Sequence, residues 1–240
     1  MKYAVLAAGE GQRMREAGIS VSKPMMILQG EPLIGRLLRV FSGFHPSEII
    51  VVCRESHSDV IGYLETCQKE VLNGKKIPLR IVKATTPSSM HSLEVISCYL
   101  SDEPFLLTTV DTVFREDDFS SFVSSLKKAL KENDGCFAVT DFVDDEKPLY
   151  VETDASGMIT GFYDHNDADY KYVSGGIYAM TPDCLKVLHQ CVLQGEMRLR
   201  NFQRALLNSG KQIKAYPFRK IVDVDHPSDL SMANDFLDEE

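Results

Sequence analysis

The feature that most constrains this chain is its rhythm over the first 140 residues. Short apolar runs at residues 3–7, 49–53, 79–82, 105–110 and 136–140 are separated by longer amphipathic stretches around 31–43, 56–70, 89–100 and 117–131. Apolar runs without alternation suit strands covered on both faces, and the amphipathic stretches suit the helices that cover them. Asp117 and Asp118 open the last of these helices, where acidic residues meet the positive end of the helix dipole. Successive βα units of this kind place a mostly parallel, Rossmann-like sheet between two helical layers. The expected fold is therefore α/β, a three-layer αβα arrangement.

Beyond Asp141 the rhythm changes. Residues 149–153 and 158–163 flank the turn Asp154-Ala155-Ser156-Gly157 and read as a hairpin. A strand over 172–180 follows, with Gly175 and Gly176 inside it. Helices around 182–194 and 198–209, short strands at 213–217 and 221–224, and a last helix from about Pro227 complete the pattern. No repeat, low-complexity segment or long linker divides the chain, so one domain over 1–240 is expected, with a mixed-sheet subregion added after residue 140.

Composition narrows the partners. A formal net charge of −9 argues against a broad nucleic-acid or anionic-membrane footprint, which demands a cationic surface. It leaves room for a small anionic ligand held by a few cations and backbone donors. The six cysteines are widely spaced with no CxxC pair, which suggests neither a zinc site nor a disulfide framework and suits a reducing compartment. The first apolar run is too short for a signal segment, and no later run approaches the ~20 apolar residues of a membrane span. A cytoplasmic protein without nucleic-acid or membrane partners is expected.

The run Val5-Leu6-Ala7-Ala8-Gly9-Glu10-Gly11-Gln12-Arg13-Met14 puts two glycines at the carboxyl end of the first strand, where open α/β sheets bind ligands. Glycines there let backbone N–H groups close around phosphate oxygens. A dinucleotide fingerprint would need a third glycine near Met14 and an acidic residue at the end of the second strand, where Cys53-Arg54 stands. A Walker A loop would need Gly-Lys-Ser/Thr, which is absent.

The remaining pattern, Leu-Ala-Ala-Gly-x-Gly-x-Arg-Met with Lys23-Pro24 about ten residues on, resembles the nucleotidyltransferase superfamily. That superfamily includes sugar-phosphate nucleotidylyltransferases, molybdenum-cofactor guanylyltransferases and phosphocholine cytidylyltransferases. The resemblance implies the nucleotide-diphospho-sugar transferase fold, with residues 1–140 binding an NTP and 141–240 binding a small phosphorylated acceptor. It implies nucleotide contacts at Leu6, Ala7, Ala8, Gly9 and Gly11, and catalytic cations at Arg13 and Lys23. Nucleotidyl transfer moves charge among phosphate oxygens, so alignment and electrostatic stabilisation do most of the work. Arg13 offers a fork to the pyrophosphate leaving group and Lys23 a point charge near the α-phosphate.

An apolar strand over 105–110 ends in Asp111, at the same sheet edge as the glycine loop. Magnesium takes one or two carboxylates together with substrate phosphates and waters, which makes Asp111 the first candidate ligand of a Mg2+ cofactor. Ile221-Val222-Asp223-Val224-Asp225-His226-Pro227-Ser228-Asp229-Leu230 resembles the Asp-x-Asp-Thr-Pro-Glu-Asp-Leu segment of the superfamily. Alternation along a strand puts Asp223 and Asp225 on one face, Asp225 being placed slightly ahead as ligand, while Asp229 belongs to the first turn of the last helix.

Ser88 and Ser89, before an expected helix, stand where relatives contact the nucleobase, and either can instead cap that helix. Two further stretches, Gly157-Met158-Ile159-Thr160-Gly161-Phe162 and Ser174-Gly175-Gly176-Ile177-Tyr178, resemble the sugar-phosphate branch and imply acceptor contacts at Gly175 and Gly176. Where that branch carries Glu-Lys-Pro, this chain has Tyr163-Asp164-His165-Asn166. Asp164 is the candidate acceptor of substrate hydroxyl hydrogen bonds, and the expected lysine is missing. Arg198 and Arg200 are substitute phosphate binders or solvated helix cations. The resemblance implies transfer of NMP to a sugar 1-phosphate, with a phosphorylated alcohol such as phosphocholine as the alternative acceptor. Glycosyl transfer and nucleotide-sugar sensing are competing classes on the same fold.

Overall fold

The computed structural model describes residues 1–11, 14, 18, 21–69, 71, 72, 75, 76, 78–143 and 146–238. β1 (Lys2–Ala7) leads through the glycine loop to a 3-10 turn at Lys23–Met25, and β2 (Ile27–Leu28) and β3 (Glu31–Pro32) form a small hairpin. There follow α1 (Leu33–Ser42), β4 (Ile49–Cys53), α2 (Ser58–Lys69), the short pair β5 (Val71–Leu72) and β6 (Lys75–Lys76), and β7 (Leu79–Lys83). Next come α3 (Ser89–Ile96), β8 (Phe105–Thr109), β9 (Thr112–Phe114), α4 (Glu116–Glu132) and β10 (Gly135–Thr140). The second half contains β11 (Tyr150–Thr153), β12 (Ile159–Tyr163), β13 (Tyr172–Met180), α5 (Cys184–Leu193), α6 (Leu199–Asn208), β14 (Ile213–Phe218), β15 (Ile221–Asp223) and α7 (Pro227–Asp238).

Among the described residues, nine strands form one sheet that runs through both halves. β1 lies between β4 and β8, all parallel, with Val5 opposite Val51 and Thr108. β7 extends this block in parallel beyond β4. β13 runs antiparallel to β8 and carries the sheet into the second half through β10 and β11. β14 is parallel to β10, and β12 closes the edge as the hairpin partner of β11. Most strands thus point one way, with β13 and β12 reversed.

Alternation along β1 shows how the layers arise. Tyr3, Val5 and Ala7 pack with Leu37, Leu64, Phe119 and Phe236 from α1, α2, α4 and α7 on one face. Ala4, Leu6 and Ala8 pack with Leu93, Leu188 and Phe202 from α3, α5 and α6 on the other. Every residue of β4 is buried, as a strand covered on both faces requires. The expected three-layer arrangement is the one observed. Five of the six cysteines are buried thiols, Cys98 being exposed. No helix among the described residues is long and apolar enough to cross a membrane.

Two features that the sequence rhythm did not announce position the site. β9 and β15 form a separate antiparallel ladder with Thr112 opposite Asp223. β13 changes partner along one edge, from β11 at residues 172 and 173 to β8 at residues 177–180, while β10 lines the other edge. The stretch between those partners, residues 174–176, faces a cavity instead of a strand.

Candidate active site

The carboxyl ends of β1, β4 and β8 open into a cleft of about 850 Å³. Leu6, Ala7, Ala8, Gly9 and Gly11 form one wall, Ser88 and Ser89 another, and Lys23, Asp111 and Asp225 the mouth. Gly11 has φ +61°, a left-handed conformation, and a β-carbon there would sit 3.5 Å from Lys23 Cβ. The left-handed turn favours glycine at this position, while the contact with Lys23 would be an ordinary one for a β-carbon. Arg13 lies outside the described residues.

Lys23 is the centre of the site. Its ammonium donates to Asp111 Oδ2 and, at 2.6 Å, to Asp225 Oδ1, while its side chain is only 12% exposed. Burial alone works against this ammonium, and the charges of Asp111 and Asp225 outweigh it, holding the lysine above its ordinary pKa. Burial likewise works against the Asp111 carboxylate, but the Lys23 charge and hydrogen bond, with a further hydrogen bond from Thr109, keep its pKa below the usual carboxylate range.

The small β9–β15 ladder explains why the two aspartates meet. Val110 N–H donates to the Leu6 carbonyl at 3.1 Å, extending the β1–β8 pairing up to Asp111. Val224 N–H donates to the Asp111 carbonyl at 3.0 Å, one step past the Thr112–Asp223 pair. Asp225 thereby arrives beside Asp111. Asp229, in the first turn of α7, accepts the N–H groups of Asp225 and His226 at 2.8 and 2.6 Å and fixes this loop. The strand ends at Asp223, so period-two alternation does not carry to Asp225. Asp225 lines the cleft, Asp223 lines a cavity of about 310 Å³ beside it, and both line a third cavity of about 470 Å³.

Ser88 caps α3: its side chain accepts the His91 N–H at 3.4 Å and contacts His91 Nδ1 at 2.8 Å. Both Ser88 and Ser89 still line the cleft, so the capping role and the wall position coincide. A residue that sequence reasoning passed over is Arg54, which follows β4. Its guanidinium reaches the Ala8 carbonyl at 3.5 Å and ion-pairs with Glu10, holding the glycine loop from the neighbouring strand. The available signal was a cation at the carboxyl end of a strand adjacent to β1.

A second cavity, about 310 Å³, shares Ser88, Ser89 and Thr109 with the cleft and extends to Arg198 and Arg200. Gly176 lines it with φ +73°, and a β-carbon there would lie 2.8 Å from Thr112 Oγ1. Its floor is a buried polar network in which Gln203 Nε2 donates to Tyr178 Oη at 3.0 Å and Ser174 Oγ lies 3.2 Å from the same oxygen. Burial pushes the Tyr178 hydroxyl up to about 12. Gly175 faces a different space, a cavity of about 470 Å³ bounded by Phe142, Asp223 and His226.

Asp164, the candidate acceptor of substrate hydroxyl hydrogen bonds, stands paired with two arginines and keeps lone pairs for further donors. Both oxygens are engaged, Oδ1 with Arg200 at 2.6 Å and Oδ2 with Arg204 at 2.7 Å, in an outer cavity of about 640 Å³. The physical reason is placement: Asp164 follows edge strand β12, which lies against α6, so its nearest partners are helix cations.

The chain belongs to the MobA-like NTP transferase domain family, whose model matches residues 3–209. It is 24% identical to a bifunctional IPC transferase and DIPP synthase from Rubrobacter xylanophilus, over 98% of this chain and 51% of that protein, so it spans about half the length of this relative. The inositol-1-phosphate CTP transferase of T. maritima superposes with a TM-score of 0.78 at 19% identity, covering 99% of this chain and 96% of the other. A putative glucose-1-phosphate thymidylyltransferase from Bacillus anthracis gives a TM-score of 0.83 at 16% identity, covering 100% and 96%. The fold is that of the nucleotide-diphospho-sugar transferases.

Proposed function

We propose that this chain, acting as one NTP-transferase domain over 1–240, transfers a nucleotidyl group from an NTP to the phosphate of a small acceptor. The acceptor class is a sugar 1-phosphate or a cyclitol 1-phosphate such as inositol 1-phosphate. An oxygen of the acceptor phosphate attacks the α-phosphorus, the bond from that phosphorus to the β-phosphate oxygen breaks, and pyrophosphate leaves. The observation that carries this reading is Lys23 held between Asp111 and Asp225 at the mouth of the glycine-loop cleft. Family membership and the names of the relatives support it.

Backbone donors of the glycine loop face the β- and γ-phosphates, Arg54 keeps that loop in shape, and Lys23 serves the α-phosphate as a point charge. The donor set fits a magnesium ion. Two carboxylates from separate strand ends converge closely enough to share one ammonium, and magnesium completes such a pair with waters and phosphates. Among the described residues no group of three or more acidic, histidine or cysteine side chains forms an all-protein cage. Asp111 and Asp225 would hold the ion, which supplies charge to offset that of the phosphates. A cytoplasmic location, where NTPs are supplied, is part of the same proposal.

The test is pyrophosphate release from each of four NTPs with glucose 1-phosphate, inositol 1-phosphate and phosphocholine, with magnesium and with EDTA. Pyrophosphate dependent on both a phosphorylated acceptor and magnesium is expected. In a parallel incubation with nucleotide sugars, their cleavage without pyrophosphate would instead assign glycosyl transfer.

A further inference from the structure

The 310 Å³ cavity adjoins the cleft at Ser88, Ser89 and Thr109 and is taken as the acceptor cavity. Through Arg198 and Arg200 it borders the outer 640 Å³ cavity, which is rich in cations although the chain carries net charge −9. Arg198, Arg200 and Arg204 gather there, with Asp164 as a shared counter-ion for two of them. Arg200 also donates to the Lys147 carbonyl at 2.9 Å and Arg204 to the Phe162 carbonyl at 3.1 Å, so both guanidiniums are fixed. Arg198 differs. It is exposed at the start of α6, lines both the 310 Å³ cavity and the outer one, and has no carboxylate partner among the described residues. A guanidinium stays charged at every physiological pH and matches planar or tetrahedral anions with paired donors.

Position decides what such an anion is. The phosphate that joins the nucleotide belongs by Lys23, Asp111 and Asp225, and the cleft they line includes neither Arg198 nor Arg200. The 310 Å³ cavity includes both arginines and none of those three residues. The cavity shares Ser88, Ser89 and Thr109 with the cleft but not its arginines, and Asp223, Gln203 and Gly176 also line it, offering polar and close-packed contacts to the body of a polyol. The arginines therefore face the end of the acceptor remote from its reacting phosphate.

Resting on the transfer reaction above, we propose that the acceptor carries a second anionic group, a carboxylate or a second phosphate, at its far end. Arg198 binds that group, with Arg200 positioned beside it by Asp164. This makes phosphocholine, with a cation at the same end, a poor substrate.

The experiment titrates glucuronic acid 1-phosphate, glucose 1,6-bisphosphate and glucose 1-phosphate calorimetrically into the NTP-free parent, Arg198→Gln and Arg198→Lys proteins, with thermal melts to show that the variants fold. One or both anion-ended compounds should bind the parent about tenfold or more tighter than glucose 1-phosphate. A gain for one alone identifies carboxylate or phosphate as the group. Arg198→Gln should reduce the preference to within about twofold of unity, and Arg198→Lys should keep part of it. Equal binding of all three by the parent, no binding of any, or a preference unchanged in Arg198→Gln would overturn the proposal. Pyrophosphate release is followed in parallel. An Arg198-dependent preference without turnover of any acceptor would remove the transfer reaction while the anion site stands.

Discussion

The Lys23 ammonium donates to Asp225 Oδ1 at 2.6 Å and so ties the end of the glycine-loop segment to the loop before α7. A divalent ion that takes Asp225 and Asp111 competes with this ammonium. Lys23→Met should leave two adjacent carboxylates without compensation and lower stability by about 2 kcal/mol, between the values for exposed and buried pairs. Magnesium should raise the melting temperature of Lys23→Met more than that of the parent, because binding to the folded state adds stability. Equal shifts in a calorimetric melt with and without 10-fold excess EDTA would contradict this competition.

Asp111→Asn and Asp225→Asn should each lower kcat by about 100-fold or more, and each should also lower the melting temperature, Asp111→Asn the more, because each takes a carboxylate from the largely buried Lys23. Asp223→Asn should change the acceptor KM more than kcat, because Asp223 lines the acceptor cavity and not the cleft. Steady-state kinetics of the three variants separates these roles.

Arg54→Gln removes the clamp on Glu10 and the Ala8 carbonyl. The expected result is an NTP KM raised about tenfold, as for loss of a charged hydrogen bond, with the acceptor KM within twofold. A change confined to the acceptor KM would show that Arg54 does not serve the glycine loop.

Gly176→Ala asks an L residue to adopt φ +73° with its β-carbon 2.8 Å from Thr112 Oγ1. Strain of about 1–3 kcal/mol is expected, and because Thr112 pairs with Asp223, the displacement should reach the acceptor cavity. Gly195→Ala also has positive φ but meets nothing within 4 Å, and serves as the control for backbone strain alone. The acceptor KM should rise in the first variant and not in the second.

The hydrogen bond from Arg200, aided by Arg204, holds the Asp164 carboxyl below the usual carboxylate range. A depressed folded-state pKa contributes stability that is present above the unfolded value, about 3.9, and is lost as pH falls through the folded one. Asp164 is 47% exposed, so the contribution is small and salt-sensitive. Below about pH 4 the melting temperature of the parent should converge toward that of Asp164→Asn, with a smaller gap at high salt. Parallel curves at all pH values would mean the pair adds no pH-dependent stability.

Local physics made part of this protein legible from its sequence. Burial on both faces gives β4 its unbroken apolar run, and the left-handed turn after β1 favours glycine at position 11, so the layers, the glycine loop, Lys23-Pro24 and Asp111 could all be read from neighbours in the chain. Arg13 rests on that reading alone. What only the tertiary structure decided depends on register between distant segments. Asp225 meets Asp111 because one more hydrogen bond extends the β9–β15 ladder beyond Asp223. Gly175 and Gly176 take opposite faces by the alternation of β13, and the change of partner beside them, from β11 to β8, leaves cavities there. Asp164 is committed to Arg200 and Arg204 because α6 lies against β12. A carboxylate's chemistry is set by what stands within a few ångströms of it, and for these residues those neighbours come from elsewhere in the chain.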